Sequence, residues 1–309
     1  MHAVAICSSM YYNSYSTAMK TEASQFRPDP ALYPFTPHFL PVSGGRMHYV
    51  DEGAGEPILF AHGIPTWSFL YRDQITELSK NYRCIAPDHI GFGLSDKPQQ
   101  WDYTLQSHSA NIERLADHLK LDNITLVVHD FGGPIGLSFA LRRPDIIRRI
   151  VLFNTWLWET ASEKKARRVD RLLHTAFGKC LYLSLNISPR LLLRQAFHDK
   201  GKLTRNIHRH YTNVFPERRD RYGLLRMGQE LVGASDWLDQ QWQNINRIAG
   251  KPSLLLWGRH DPFLGEKYLR TWQSALVNAR TVSFDSGHFV QEEYAAEATR
   301  EIGTFMRHR

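Results

Sequence analysis

Short, uninterrupted apolar runs recur along most of the chain, at Ile58–Ala61, Tyr82–Ala86, Ile124–Val128, Ile150–Phe153, Ser253–Leu256 and Thr281–Phe284. Runs of this length suit strands covered on both faces, as in a parallel sheet. Amphipathic segments lie between most of them. In the clearest, Leu105, His108, Ile112, Leu115 and Leu119 recur at helical spacing, which predicts one stripe packed on the sheet. Leu137–Leu141 and Ala295–Phe305 show a weaker form of the same pattern. Upstream, His38–Val42 and Arg46–Glu52 flank Gly44-Gly45 and predict a β-hairpin. Strand–helix alternation of this kind predicts an α/β fold, with a mostly parallel sheet, helices on both faces and right-handed crossovers. The alternation fails between Trp156 and Arg247, where the pattern is helical, basic and aromatic, with breaks at Pro189, Gly201, Pro216 and Gly233. It resumes at Lys251-Pro252. The expected organisation is therefore a first core part over residues 34–155, an inserted helical cap over 156–247 and a second core part over 248–309. Residues 1–33 are rich in Ser, Thr, Tyr and Met without a stable period, and are expected to form a flexible extension.

Composition narrows this picture little. Of 309 residues, 42% are hydrophobic and 22% charged, as in ordinary globular proteins. No apolar run approaches the roughly 20 residues of a membrane span. Three cysteines, Cys7, Cys84 and Cys180, are too few and scattered for a disulfide framework, and Ala3–Cys7 is too short for a signal-peptide core. A cytoplasmic compartment is the expectation. The net charge of +7 is concentrated in the cap, which holds 17 Lys/Arg against 9 Asp/Glu. These cations are dispersed and no nucleic-acid motif accompanies them, so a solvated helical surface is expected and no nucleic-acid partner.

The chemistry concentrates where strands end. The predicted strand Ile124–Val128 runs into His129-Asp130-Phe131-Gly132-Gly133, with a helix expected from about Pro134. A sharp strand-to-helix turn lifts one side chain above the carboxyl edge of the sheet, where ligands bind in open α/β folds. The lifted residue is Asp130. A carboxylate is a poor nucleophile for esters or amides, but it can attack a saturated carbon bearing a good leaving group and form an alkyl ester. The helix N-terminus behind it favours the ionised form. Asp130 read alone could equally be a helix cap. Two further residues follow later strands. Asp261, in Trp257-Gly258-Arg259-His260-Asp261, comes after Ser253–Leu256, and His288 after Thr281–Phe284. His288 suits a base that activates water, and Asp261 an acid that holds its tautomer. His62-Gly63-Ile64-Pro65 follows Ile58–Ala61, so the N–H groups of Ile64 and Phe131 are the expected oxyanion hole, with His62 bracing the loop. No metal or cofactor is expected. The His208/His210 pair points apart on a helix, and Gly91-Phe92-Gly93 lacks the third glycine and the lysine of a phosphate loop.

From about Pro34 onward the chain resembles the haloalkane dehalogenases of the α/β-hydrolase superfamily. The matching stretches are 47–53, HGIPTWSFLYR (62–72), APDHIGFGLSDKP (86–98), VVHDFGGPIGL (127–137), GRHDPFLG (258–265) and DSGHFVQEE (285–293). The resemblance implies an α/β-hydrolase fold with a catalytic triad of Asp130, Asp261 and His288. In the implied reaction Asp130 displaces halide from an sp³ carbon and His288 then deprotonates the water that hydrolyses the ester. The substrate would be a small apolar electrophile, haloalkane or epoxide, with halide ion as a possible product. Two positions depart from the family. Phe131 stands where most members have a halide-binding Trp, and Ile64 where many have Asn. Neither side chain offers an N–H donor, and Trp67, Trp156 and Trp158 are candidates to replace them. The loss raises the alternative of an epoxide hydrolase, for which Tyr182, Tyr211 and Tyr222 are candidate acids, or of an enzyme acting on another electrophile such as a strained lactone. A non-catalytic ligand receptor would have no use for the base.

Overall fold

The computed structural model describes residues 26–307. Eight strands form one sheet: β1 (His38–Val42), β2 (Gly45–Glu52), β3 (Pro57–Ala61), β4 (Arg83–Pro87), β5 (Ile124–Asp130), β6 (Ile147–Thr155), β7 (Ser253–Gly258) and β8 (Ala279–Phe284). Their order is β1-β2-β4-β3-β5-β6-β7-β8. The hairpin partner β2 runs antiparallel to both β1 and β4, and every later pairing is parallel. Strands β3, β5 and β6 are almost wholly buried, because helices cover both faces. The edge strand β8 is buried only at Phe284. The chain therefore has the α/β-hydrolase architecture.

The helices of the first half are α1 (Arg72–Leu78), α2 (Leu105–His118) and α3 (Gly132–Arg142). Thr104 caps α2 by accepting from the Ser107 N–H, and Leu105, His108, Ile112 and Leu115 form its buried stripe. Helix α3 begins at Gly132, two residues earlier than Pro134 suggests, and is buried along nearly its whole length. Between β6 and β7 the described chain makes only helical elements: α4 (Lys164–His174), α5 (Ala176–Leu183), α6 (Leu193–Ala196), α7 (Arg205–Asn213), α8 (Tyr222–Gly233), α9 (Ser235–Gln243) and α10 (Asn246–Ala249), with short tighter or looser turns. Three more helices, α11 (Glu266–Ala275), α12 (Val290–Glu293) and α13 (Ala295–Arg307), complete the second half. No described helix is long and apolar enough to cross a membrane.

One buried network ties this helical insertion to the core. Arg72 in α1 donates to both oxygens of Glu292 at 2.6 and 2.8 Å, and Tyr211 in α7 donates to the same carboxylate. Residues 26–33, the end of the expected extension, pack here too. Tyr33 is buried with its hydroxyl 2.5 Å from Ser68 Oγ, and Phe26 meets Trp67 edge to face. The earlier part of that extension lies outside the described residues.

Candidate active site

Strand β5 ends in a sharp turn at Asp130, whose φ of +51° lies in the left-handed region. A non-glycine residue persists there only when its surroundings hold it. Here they do: Thr155 Oγ1 donates to the Asp130 carbonyl at 2.7 Å, and Ile64 N–H donates to Asp130 Oδ1 at 2.9 Å. The backbone of Gly63 passes so close that a Cβ there would sit 2.2 Å from the same oxygen, and a Cβ on Gly132 would meet the Ala61 carbonyl oxygen at 2.0 Å. The two glycines thus let β3 and the start of α3 close around the carboxylate.

The structure brings all three expected triad residues together. His288 Nε2 stands 3.4 Å from Asp130 Oδ2, and His288 Nδ1 stands 2.7 Å from Asp261 Oδ2. The other oxygen of Asp261 accepts from the N–H groups of Phe263 (2.7 Å) and Leu264 (3.1 Å). Burial would raise the Asp261 carboxyl, but His288 and these donors outweigh it and hold the group below its ordinary value. Burial alone would lower the His288 imidazole. The Asp261 charge, with Asp130 behind it, reverses that and pushes the group up to about 10. The ring thus stands between two carboxylates, whose charges favour its protonated form.

Several residues that hold this arrangement carry no local sequence signal. Asn154, at the end of β6, donates to the carbonyls of Gly258 (3.1 Å) and Leu264 (3.2 Å) and accepts from Gly258 N–H (2.8 Å). It fastens the loop that carries Asp261. Glu293 is buried and accepts from Gly287 N–H (2.8 Å) in the His288 loop and from Asp199 N–H (2.7 Å) in the helical insertion. His129 donates Nε2–H to the His288 carbonyl at 2.9 Å. Burial and the neighbouring His288 hold its pKa down at about 3, so it stays neutral. His62, by contrast, is the brace expected from the sequence: it donates Nδ1–H to the Gly63 carbonyl and accepts from His89 N–H at Nε2.

An Asn154→Ala substitution tests the first of these. It frees the Asp261 loop without touching Asp130, so kcat should fall about 10- to 100-fold. Steady-state kinetics of the parent and the variant measure it.

The candidate pocket residues fall in different surroundings. Trp67 donates its indole N–H to the His210 carbonyl at 3.1 Å and stacks on Phe69. Trp158 stands in an aromatic group with Trp242, Tyr268 and Trp272. Trp156 instead meets Phe131 edge to face, with ring centroids 4.9 Å apart. It is buried, and its indole N–H has no partner among the described residues. Of the tyrosines, Tyr211 is engaged by Glu292 and Tyr222 lies against Tyr103. Tyr182 is raised to about 12, by burial first and then by the Asp130 charge, opposed by a hydrogen bond with Ser188.

The His208 and His210 rings both bond backbone groups. One exposed trio, His198, His260 and Asp285, gathers its ligand atoms within 4.8 Å, apart from the triad. It joins loops distant in sequence, and spacing gives no sign of it.

The family profile described as "alpha/beta hydrolase fold" matches residues 56–295. The chain is 37% identical over 278 residues to Haloalkane dehalogenase 2 of Mycobacterium tuberculosis, covering 87% of this chain and 94% of that protein. It is 34% identical over 289 residues to a cis-3-alkyl-4-alkyloxetan-2-one decarboxylase of Shewanella oneidensis, covering 89% of each. Among solved structures, the haloalkane dehalogenase DatA of Agrobacterium tumefaciens C58 superposes with a TM-score of 0.80 at 28% identity, covering 91% of this chain and 99% of that one.

Proposed function

Because the chain belongs to the haloalkane dehalogenase family of α/β-fold hydrolases, we propose that it cleaves a carbon–halogen bond in two steps, with Asp130 as nucleophile. The observation that carries this reading is the Asp130 carboxylate itself. It is held at the turn by Ile64 N–H on Oδ1, with Oδ2 facing His288 Nε2. In the first step one carboxylate oxygen attacks an sp³ carbon and halide leaves with the bonding pair, giving an alkyl ester. The ester has no charge, so His288 loses one of the two anions that keep it protonated and can act as a base. In the second step water, deprotonated by His288, attacks the Asp130 carbonyl carbon. Ile64 and Phe131 N–H groups stabilise the oxyanion, and alcohol and free Asp130 result. Asp261 stays ionised and holds the imidazole throughout.

Phe131 and Ile64 cannot donate to a halide from their side chains, and the free indole N–H of Trp156 beside Phe131 takes that place. A buried donor without a partner is rare in folded proteins and calls for a reason. Trp156→Phe should weaken halide binding about tenfold and slow carbon–bromine cleavage by a similar factor, while Phe131→Trp in that background should restore both. Halide quenching of tryptophan fluorescence checks the first and stopped-flow bromide release the second. Unchanged halide affinity in Trp156→Phe would remove Trp156 from the role.

A second reading has one specific observation behind it, the similarity to a relative named as a decarboxylase of a four-membered lactone. Asp130 could open such a ring by forming an ester at its alkyl carbon as the bond to the ring oxygen breaks and leaves a carboxylate; loss of carbon dioxide, with the Asp130 carboxylate expelled, would then give an alkene. The paired cap tyrosines of an epoxide reading have less support, because Tyr211 and Tyr222 are engaged elsewhere. Incubation with 1-bromohexane, a cis-3,4-dialkyl-oxetan-2-one and styrene oxide separates the three by halide, carbon dioxide and diol. Halide release is the expected result, and turnover of the lactone or epoxide alone would overturn the dehalogenase reading.

A further inference from the structure

Residues 164–194 hold eight Lys/Arg against a single acid, Asp170, which pairs with His174. All eight cations are exposed, and among the described residues none forms an ion pair with a carboxylate. The same stretch contains five of the eight exposed large hydrophobic side chains of the described protein: Val169, Leu172, Phe177, Leu185 and Leu191. Helix α4 therefore has two apolar faces. Ala166 and Leu173 are buried against the protein, whereas Val169 and Leu172, three residues apart, share an outward face. Phe177, 66% exposed, follows at the start of α5, where the adjoining Gly178 packs tightly against the Leu172 carbonyl. Lys165 extends the surface toward the triad. Its Nζ donates to the Pro262 carbonyl at 2.6 Å and lies 5.6 Å from the ring of Phe263, which meets the His288 ring edge to face.

A merely solvated helix would keep its large apolar side chains inward, and a surface for nucleic acid would need the cations but not the Val, Leu and Phe. Unpaired cations interleaved with outward aliphatic and aromatic groups match an interface that is anionic outside and apolar beneath. We propose that this face of the cap docks on an anionic phospholipid membrane surface, its Lys and Arg on headgroup phosphates and Val169, Leu172 and Phe177 in the headgroup–acyl boundary. The apolar substrate of the neighbouring site would then be drawn from the lipid phase, a consequence that rests on the proposed reaction. Docking itself does not, and Asp130→Asn should bind vesicles as well as the parent.

Co-sedimentation of the full chain with phosphatidylcholine vesicles, with and without phosphatidylglycerol, tests it. The chain should pellet with the anionic vesicles only. Arg168→Gln with Arg171→Gln should lower the partition coefficient about 25-fold, at roughly fivefold per cation. Leu172→Ser with Phe177→Ser should lower it about tenfold without any change of charge. These side chains are exposed, so melting temperature and solution turnover should stay as in the parent. No binding to the anionic vesicles would overturn the proposal. So would binding that survives the serine substitutions and is matched on DNA, which would mark plain adhesion to polyanions.

Discussion

Asp130→Asn should abolish turnover, with kcat falling on the order of 10⁴- to 10⁶-fold. The substitution keeps the shape of the side chain and leaves an oxygen to accept from Ile64 N–H, so the turn at the end of β5 has no reason to move. The change is in charge. An amide oxygen is far too weak a nucleophile for a saturated carbon, and the described structure places no second carboxylate at this position. Removing the anion also alters the base. His288 is raised to about 10 while it faces both Asp261 and Asp130. Without Asp130 it should titrate lower, in the direction the ester intermediate would drive it. Imidazole NMR titration of parent and variant reads this shift, and parent-like turnover by the variant would show that Asp130 is not the attacking group.

His288→Gln divides the reaction at its midpoint. In the proposed mechanism the first step uses only the Asp130 carboxylate, so halide should appear as a burst of about one equivalent per enzyme. The second step needs a base, and steady-state turnover should fall on the order of 10⁴-fold. The ester then accumulates, and intact-mass spectrometry after 1,2-dibromoethane should show the enzyme heavier by one bromoethyl group, located by digestion on the peptide that contains Asp130. The steps should also part company with pH in the unsubstituted enzyme. Halide release does not call on the imidazole as a base. Hydrolysis needs neutral His288 and rises with pH through the lowered pKa of the ester form. A burst without an adduct, or no burst at all, would be incompatible with a covalent intermediate on Asp130.

Much of this framework is legible in the residues because it is written in local patterns. The apolar runs at Ile124–Val128 and Ser253–Leu256 lie within β5 and β7, and the stripe of Leu105, His108, Ile112 and Leu115 is the buried face of α2. Asp130, Asp261 and His288 each follow a strand, and parallel strands deliver such residues to one edge. Strand order has no such signature, since it depends on which crossovers bury the most surface. The supports of the site are equally silent. Asn154 has nothing around it in sequence to mark it, yet its amide satisfies three backbone groups of the Asp261 loop, a task for which a carboxylate lacks the donors. Glu293 and the Arg72–Glu292–Tyr211 group look like ordinary surface charges until the fold buries them together. Trp156 differs from Trp67 in lacking a partner for its N–H among the described residues, which no spacing can reveal.

Oxygen exchange tests the nucleophile most directly. With enzyme in excess over 1-bromohexane in ¹⁸O-labelled water, a single turnover through an Asp130 ester transfers an unlabelled carboxylate oxygen to the alcohol, and water refills the carboxylate. The hexanol should be unlabelled, and the tryptic peptide containing Asp130 should gain one ¹⁸O. Labelled hexanol with an unlabelled peptide would mean that water attacks the substrate directly, contradicting covalent catalysis by Asp130.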